Sequence, residues 1–134
     1  MERTFAMIKP GAVAHKHVGA IIDMIEKNGF EIIGLEKIEM TQAQAHELYQ
    51  EHKERSFFGE MVESITASPI IVMVLEKEDA VAQWRKLMGA TNPAQADAGT
   101  VRALYGTSIG ANAAHGSDSL ASSARERAIF FPGL

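Results

Sequence analysis

The most hydrophobic segment of the chain, Ile70–Leu75, constrains the fold more than any other feature. It follows Ser68-Pro69 and has the length of a single β-strand. A strand without polar alternation is typical of a sheet interior that is covered on both faces. The run is far too short to cross a membrane, which takes about 20 apolar residues. The chain is therefore expected to build a sheet around this strand.

Apolar spacing and turn residues predict the elements around that strand. Further strands are predicted at Thr4–Ile8, at Phe30–Met40 and, from topology, near Ala113–Gly116. Helices are predicted at Val18–Asn28, Gln42–His52, Gly59–Ala67, Asp79–Gly89 and Ser119–Phe130, and a long loop is predicted over residues 90–112. This order resembles a βαββαβ α/β sandwich with additions.

The sequence also predicts the faces of the second strand and the end of the first strand. Alternation in the second strand places its apolar residues on one face of the sheet, namely Phe30, Ile32, Ile38 and Met40. The sequence Lys9-Pro10-Gly11 predicts that the first strand runs into a loop, because Pro10 disfavours helix at Lys9 and Gly11 is a helix breaker.

Length, charge and composition narrow the class of protein. With 134 residues, the chain is expected to form a single domain over residues 1–134. The absence of cysteine excludes a disulfide framework, thiolate metal sites and cysteine catalysis. A formal charge of −4 argues against a protein that mainly grips nucleic acid. Residues 1–8 lack the apolar segment of a signal peptide, so we expect a cytoplasmic protein without a membrane partner.

Several common catalytic motifs are missing from the sequence. It contains no Gly-x-x-x-x-Gly-Lys-Ser/Thr loop and no Gly-x-Gly-x-x-Gly. It also contains no His-Glu-x-x-His and no Gly-x-Ser-x-Gly. These absences argue against a P-loop enzyme, a Rossmann dehydrogenase, a zincin and an α/β-hydrolase.

The strongest catalytic candidate is His115, which stands among small residues in Asn112–Ser119. Neutral imidazole is nucleophilic near neutral pH and can attack a phosphorus centre. We expect Gly116 to let a bulky substrate approach closely. Glu126, on the following helix, is a candidate partner for the second ring nitrogen, and Ser117 is a candidate to position that glutamate.

Cationic and aromatic residues elsewhere suit a phosphorylated, planar ligand. The guanidinium groups of Arg85 and Arg102 match phosphate oxygens, and Lys9 adds a point charge. Thr91 can donate a hydroxyl hydrogen. In Phe57-Phe58 one ring is expected in the core, while the other can stack on a nucleobase.

Each candidate also has a purely structural interpretation. Asn112–Ser119 can be a surface turn that caps the last helix, and Ser123 with Glu126 has capping-box spacing. The cations can be solvated surface residues, and both phenylalanines can be core. The remaining histidines show no metal-ligand spacing and are interpreted as surface residues: His15, His17, His46 and His52. Tyr49 can reach a site or lie at the surface.

From these residues alone, three functions stay open. The first is a phosphotransferase that works through His115. The second is a nucleotide- or nucleic-acid-binding module without turnover, based on Phe57 and the scattered cations. The third is a phosphohydrolase that uses the same histidine but passes the phosphate to water.

At these residues the chain resembles the nucleoside diphosphate kinases, over the range Arg3–Phe130. The most specific shared motif, Asn-x-x-His-Gly-Ser-Asp, is Asn112–Asp118. Further shared segments follow in the family's order: Lys9-Pro10, Tyr49 before His52–Arg55 with Phe57-Phe58, Gly89–Pro93 and Gly99–Arg102. The resemblance implies a ferredoxin-like βαββαβ sandwich, with a four-stranded antiparallel sheet, helices and a long loop insertion.

The resemblance also implies an activity. The γ-phosphate of a nucleoside triphosphate, mainly ATP, would pass to His115 and then to a nucleoside diphosphate, ribo- or deoxyribo-, by a ping-pong mechanism. The implied catalytic residues are His115, Glu126, Lys9, Tyr49 and Ser117. The implied nucleotide-binding residues are Lys9, Phe57, Arg85, Thr91, Arg102 and Asn112. Mg²⁺ would arrive on the nucleotide phosphates and contact Asp118 through water, without a dedicated protein metal site.

The family assembles from dimers, so the resemblance implies a homo-oligomer, tetramer or hexamer, with no obligatory nucleic acid. Three positions depart from the family's common pattern: Gly11, Ser56 and Leu104. We expect these departures to affect loop rigidity more than the reaction.

Overall fold

The computed structural model describes residues 1–134 and contains one four-stranded sheet. Its strands are β1 (Glu2–Ile8), β2 (Glu31–Ile38), β3 (Ile70–Lys77) and β4 (Ala114–Gly116). They lie in the order β2-β3-β1-β4, and every neighbouring pair is antiparallel. The strand order and the connecting helices confirm the predicted βαββαβ architecture.

Seven α-helices and two 3₁₀ turns connect and cover these strands. The helices are α1 (Pro10–Ala14), α2 (Val18–Lys27), α3 (Gln42–Leu48), α4 (Phe58–Thr66), α5 (Ala80–Met88), α6 (Val101–Tyr105) and α7 (Leu120–Phe130). The 3₁₀ turns are Gln50–His52 and Pro93–Gln95. No helix has the length and apolar content that a membrane span requires.

The core consists of two apolar clusters on opposite faces of the sheet. Every residue of Ile70–Leu75 is buried, and alternate side chains enter alternate clusters, as predicted for a central strand. One cluster joins Met73 and Leu75 to α2 and α5. The other joins Val72 and Val74 to α3, α4 and the segment after α7.

The single apolar face predicted for the second strand is wrong. Phe30 and Ile32 pack with the α2–α5 cluster, whereas Ile38 and Met40 pack with the opposite cluster. The pairing of β2 with β3 shifts register between Ile32 and Gly34, which indicates a β-bulge. An extra residue in one strand exchanges the faces of everything beyond it, and simple alternation does not reveal that exchange.

Three helical segments differ from the sequence prediction. The first strand is followed by α1, which begins at Pro10, and not by the predicted loop. Proline fits the first position of a helix because no N–H partner is needed there. The predicted helix Gln42–His52 stops at Leu48 and continues as a 3₁₀ turn. The long loop contains α6, whose first turn is capped by the Thr100 side chain.

Candidate active site

His115 is the middle residue of β4, the short strand at one edge of the sheet. It pairs with Met7 of β1, the neighbouring strand. The following residues turn into α7, where the Ser119 side chain and Ser122 form a capping box. The cap is therefore Ser119 with Ser122, which leaves Glu126 free for another role.

That role is a hydrogen bond to the histidine. Nε2 of His115 lies 3.0 Å from Oε1 of Glu126, and the Ser117 hydroxyl donates to the same oxygen at 3.0 Å. Glu126 and Ser117 are both buried. Because an ionised carboxylate only accepts hydrogen bonds, Nε2 carries the ring hydrogen. Nδ1 then keeps its lone pair and is the nucleophilic nitrogen.

The backbone around His115 is fixed by a tryptophan. The indole N–H of the fully buried Trp84 donates to the His115 carbonyl at 3.2 Å. A Cβ on Gly116 would lie only 2.4 Å from Trp84 and 2.7 Å from Met88. Gly116 also lines the pocket, so the expected close approach of a substrate stays a prediction, and the structure adds a packing reason: glycine lets the strand contact α5.

The candidate residues surround one pocket of about 700 Å³. From the sequence-based candidates, its lining includes Lys9, Tyr49, Phe57, Arg85, Thr91, Arg102, Asn112, His115 and Asp118. Glu126 and Ser117 lie behind His115, through the hydrogen bonds described above. The structure thus brings together every residue that was expected at the site.

Arg102 connects the long loop to the strand of the nucleophile. Its guanidinium donates to the Gly89 and Ala114 carbonyls, both at 3.0 Å. Its Nε is buried and has no partner. Burial, and secondarily the charge of Arg85, lowers the pKa of Arg102 to about 10, while Asp118 opposes that shift. Arg102 stays a cation at neutral pH.

Lys9 lies where β1 enters α1. Its backbone N–H donates to the carbonyl of Ala113, the residue before β4, at 2.8 Å. Burial, and secondarily the charge of Arg102, lowers the pKa of Lys9 to about 8. No carboxylate pairs with its ammonium group. Lys9 is therefore a cation that lacks a protein counterion.

Arg85 on α5 does have a counterion, because it forms an ion pair with Asp118. Both side chains are at least half exposed, so the pair is expected to contribute little stability. A phosphate group can therefore compete with Asp118 for this guanidinium.

Tyr49 contacts the other side of the histidine. Its ring lies 6.0 Å from the His115 ring in a perpendicular arrangement. Burial, and secondarily the negative charge of Glu126, raises the pKa of Tyr49 well above its usual value. The phenol therefore stays neutral and can donate its hydrogen.

Asn112 offers an acceptor that nothing in the protein uses. Its amide N–H donates to the Thr91 carbonyl at 3.0 Å, whereas its Oδ1 is buried without a partner. An unsatisfied buried acceptor in a pocket is available to the donor of a ligand. A sugar hydroxyl provides such a donor, and Lys9 lines the same pocket.

Phe57 stands at the open end of the pocket, immediately before α4, with 43% of its surface exposed. The Arg55 guanidinium lies 5.7 Å from its ring centre but does not line the pocket. A planar apolar ring at a pocket mouth can stack on a base.

One pocket residue was misinterpreted from the sequence, and others were not considered. His52, expected at the surface, lines the pocket near Tyr49 and Phe57, and its Nδ1 is buried without a partner. The additional lining residues are Glu60, Met61, Ser64, Ile65, Met88, Ile109 and Gly110. Helical spacing after Phe57 signals the α4 residues; nothing in the sequence signals Ile109. None of the three departures, Gly11, Ser56 and Leu104, lines the pocket.

The pocket therefore combines an oriented nucleophilic imidazole, several cations and an exposed aromatic ring. Comparisons with known proteins agree with this geometry. The family model described as nucleoside diphosphate kinase matches residues 2–134.

Among curated relatives, the nucleoside diphosphate kinase of Pelobacter propionicus is 53% identical over 134 residues, covering 100% of this chain and 98% of that protein. The one from Sorangium cellulosum is 50% identical over 133 residues, covering 99% and 92%. Among solved structures, the Aquifex aeolicus nucleoside diphosphate kinase superposes with a TM-score of 0.96 at 38% identity, covering 98% of this chain and 96% of that one. The Halobacterium salinarum enzyme in complex with CDP gives 0.94 at 41% identity, covering 97% and 87%.

Proposed function

Because the chain belongs to the nucleoside diphosphate kinase family and is a nucleoside-diphosphate kinase, we propose that His115 carries the phosphate between its two nucleotide substrates. The observation that supports this role is the Nε2–Glu126 contact of 3.0 Å, which leaves Nδ1 for the pocket. The phosphate donor is a nucleoside triphosphate, mainly ATP, and the acceptor is a nucleoside diphosphate.

In the first half-reaction, Nδ1 of His115 attacks the γ-phosphorus in line with the leaving oxygen. The N–P bond forms while the bond to the β,γ-bridging oxygen breaks, and the diphosphate leaves with that electron pair. The Nε2 hydrogen stays in place and donates to Glu126 throughout. The buried carboxylate stabilises the positive charge that the ring gains on phosphorylation.

In the second half-reaction, a terminal oxygen of the acceptor diphosphate attacks the same phosphorus along the same path. The N–P bond breaks, and its electron pair returns to Nδ1. Lys9, Arg85 and Arg102 surround the pocket where negative charge spreads over the transferred oxygens. Preorganised cations of this kind lower the barrier, because they need no reorientation during the reaction.

Mg²⁺ fits this site as an ion carried by the nucleotide. No group of three or more acidic or histidine side chains is arranged to hold a metal. Asp118 is the carboxylate that lines the pocket beside Arg85, and it would hold the ion through water. When bound, Mg²⁺ neutralises phosphate charge and orients the phosphate chain.

We expect the nucleoside to lie toward the open end. Phe57 stacks on the base, and stacking accepts every base because each has a π-face. The free Oδ1 of Asn112 and the Lys9 ammonium are available to the sugar and to a phosphate oxygen. Ribo- and deoxyribonucleotides are both expected to be substrates.

Phosphoenzyme formation tests this proposal. Wild-type protein incubated with γ-labelled ATP and Mg²⁺ should gain a label that is stable in alkali and lost in acid, and His115→Ala should gain none. Chromatography of an alkaline digest should identify the Nδ1-linked isomer. An unlabelled wild type contradicts the proposal, and a label on the His115→Ala variant assigns the reaction to another residue.

We also expect a homo-oligomer built from dimers. The outer edge of β2 has no neighbouring strand, and Leu35 on that strand is 42% exposed. An unpaired edge of this kind is a natural place for a second copy to add its own strand. Light scattering coupled to size exclusion measures the assembly and distinguishes tetramer from hexamer.

Two broader expectations stay predictions. Residues 1–134 should unfold as one cooperative domain, which calorimetry checks by comparing calorimetric and van't Hoff enthalpies. The cytoplasmic location is checked by cell fractionation.

A further inference from the structure

Helix α4 turns one face toward the open end of the pocket. Glu60 and Ser64 lie on this face, three and seven residues after Phe57, and both line the pocket with it. Residues three or four apart on a helix are surface neighbours, with Cβ atoms about 5–6 Å apart. A base that stacks on Phe57 therefore presents its edge within reach of the Glu60 carboxylate.

Glu60 differs from the other carboxylate of the pocket. Asp118 pairs with Arg85, whereas the side chain of Glu60 forms no ion pair and no hydrogen bond. The nearby Arg55 lies over the Phe57 ring and does not line the pocket. The base end of the pocket thus contains an exposed anion whose hydrogen-bonding capacity is unused.

An ionised carboxylate only accepts hydrogen bonds. Guanine offers it two adjacent donors, the ring N1–H and the 2-amino group. Adenine and cytosine each offer an amino group, whereas uracil and thymine present a carbonyl oxygen at the corresponding place and keep only the ring N3–H as a donor. Hypoxanthine has the N1–H of guanine but lacks the amino group.

We infer that Glu60 gives this kinase a base preference for nucleotides with an exocyclic amino group, guanine above all. The inference rests on the proposed stacking of the base on Phe57. Stacking supplies the affinity that all bases share, and the carboxylate adds a hydrogen bond that only some of them complete. A hydrogen bond at an exposed rim is worth roughly a twofold to tenfold difference in kcat/KM.

Acceptor pairs that differ in one amino group test the inference. Label is first loaded on His115, and discharge of the phosphoenzyme is then followed with GDP against IDP and with CDP against UDP. The wild type should favour GDP and CDP, and Glu60→Ala should reduce both ratios by about twofold to tenfold. Glu60→Gln keeps an amide oxygen as a weaker acceptor, so its two ratios should lie between those of the wild type and those of Glu60→Ala.

Glu63→Gln is the matched control, because Glu63 is an exposed acidic residue of the same helix that does not line this pocket. Its ratios should equal those of the wild type. The inference is overturned when Glu60→Ala leaves both ratios unchanged. This outcome includes a change of all four acceptors by one common factor, which indicates a general charge effect.

Failure of the proposed function gives a different pattern. A wild type that forms no phosphoenzyme contradicts the role of His115, and calorimetric binding of GDP and IDP then tests Glu60 by itself. Phe57→Ala separates the two contributions, because loss of stacking should weaken all four acceptors alike. Equal binding of GDP and IDP by the wild type overturns the inference in either case.

Discussion

Oε1 of Glu126 accepts two hydrogen bonds at 3.0 Å, one from the His115 ring and one from the Ser117 hydroxyl. His115 is the middle residue of β4, Ser117 directly follows that strand, and Glu126 lies in the middle of α7. This arrangement fixes the tautomer and the rotation of the imidazole before any substrate binds.

Replacing Glu126 by glutamine should slow catalysis without weakening nucleotide binding. The amide keeps an oxygen acceptor but loses the charge that stabilises a phosphorylated ring. We expect kcat to fall by about 10- to 100-fold, the range for hydrogen bonds to charged groups, with KM nearly unchanged. Steady-state kinetics checks this split, and an equal rise in KM would argue against it.

The pH profile should report Lys9. Its pKa is lowered to about 8, mainly by burial, so the ammonium charge disappears as the pH rises through that value. Phosphate binding loses a cation there, and kcat/KM, which reports the free enzyme, should decline above about pH 8. The Lys9→Arg variant keeps its charge at that pH, so the decline of kcat/KM should vanish or move to much higher pH.

The same burial should make Lys9 costly to the stability of the fold. Its folded pKa of about 8 lies below the ordinary 10.5, so the unfolded chain binds the proton more tightly. The destabilisation is complete below the folded pKa and disappears as the pH rises to the ordinary value. Lys9→Met should therefore raise the free energy of unfolding near pH 7 by about 1–3 kcal/mol, measured by urea denaturation, while the enzyme loses activity. The gain should shrink in unfolding experiments at high pH.

Arg102→Ala should reduce kcat/KM, because the transition state loses roughly 2–4 kcal/mol of stabilisation. It should also destabilise the protein, because the Gly89 and Ala114 carbonyls lose their donor. Lys86→Ala removes an exposed cation from α5 that does not line the pocket, and it should change neither property. A change in activity of less than about twofold for Arg102→Ala would place that residue outside the site.

Gly116→Ala should lower the free energy of unfolding, whereas Gly59→Ala should not. The added methyl would lie 2.4 Å from Trp84, which is fully buried and cannot move aside easily. Overpacking of this kind typically costs about 1–3 kcal/mol. Gly59→Ala has nothing within 4 Å of the added carbon and should leave the urea midpoint unchanged or slightly higher. Equal midpoints for both variants would contradict the packing argument.

Much of the fold could be predicted because it depends on local patterns. The apolar run Ile70–Leu75 predicts the central strand, and Asn112–Asp118 indicates the family and a candidate nucleophile. Convergence of Lys9, Arg85 and Arg102 depends on long-range packing, so spacing alone could not show it.

The errors have the same physical origin. A bulge near Ile33 exchanged the faces of β2, and no local residue preference announces it. The absence of metal-ligand spacing predicts a surface position for His52, whereas the 3₁₀ turn after α3 brings it to the pocket. Pro10 and Gly11 predict a loop after the first strand, whereas proline also fits the first position of a helix and begins α1.

The three-residue length of β4 limits how this region of the chain can diverge. Successive side chains of a strand point to opposite sides, so a one-residue insertion or deletion within Ala114–Gly116 would turn the imidazole away from the cleft. So short a segment has no spare pairs in which such a slip could be absorbed. Length variation among related chains should therefore accumulate elsewhere, such as in surface turns, while the spacing between Ala114 and Gly116 stays constant.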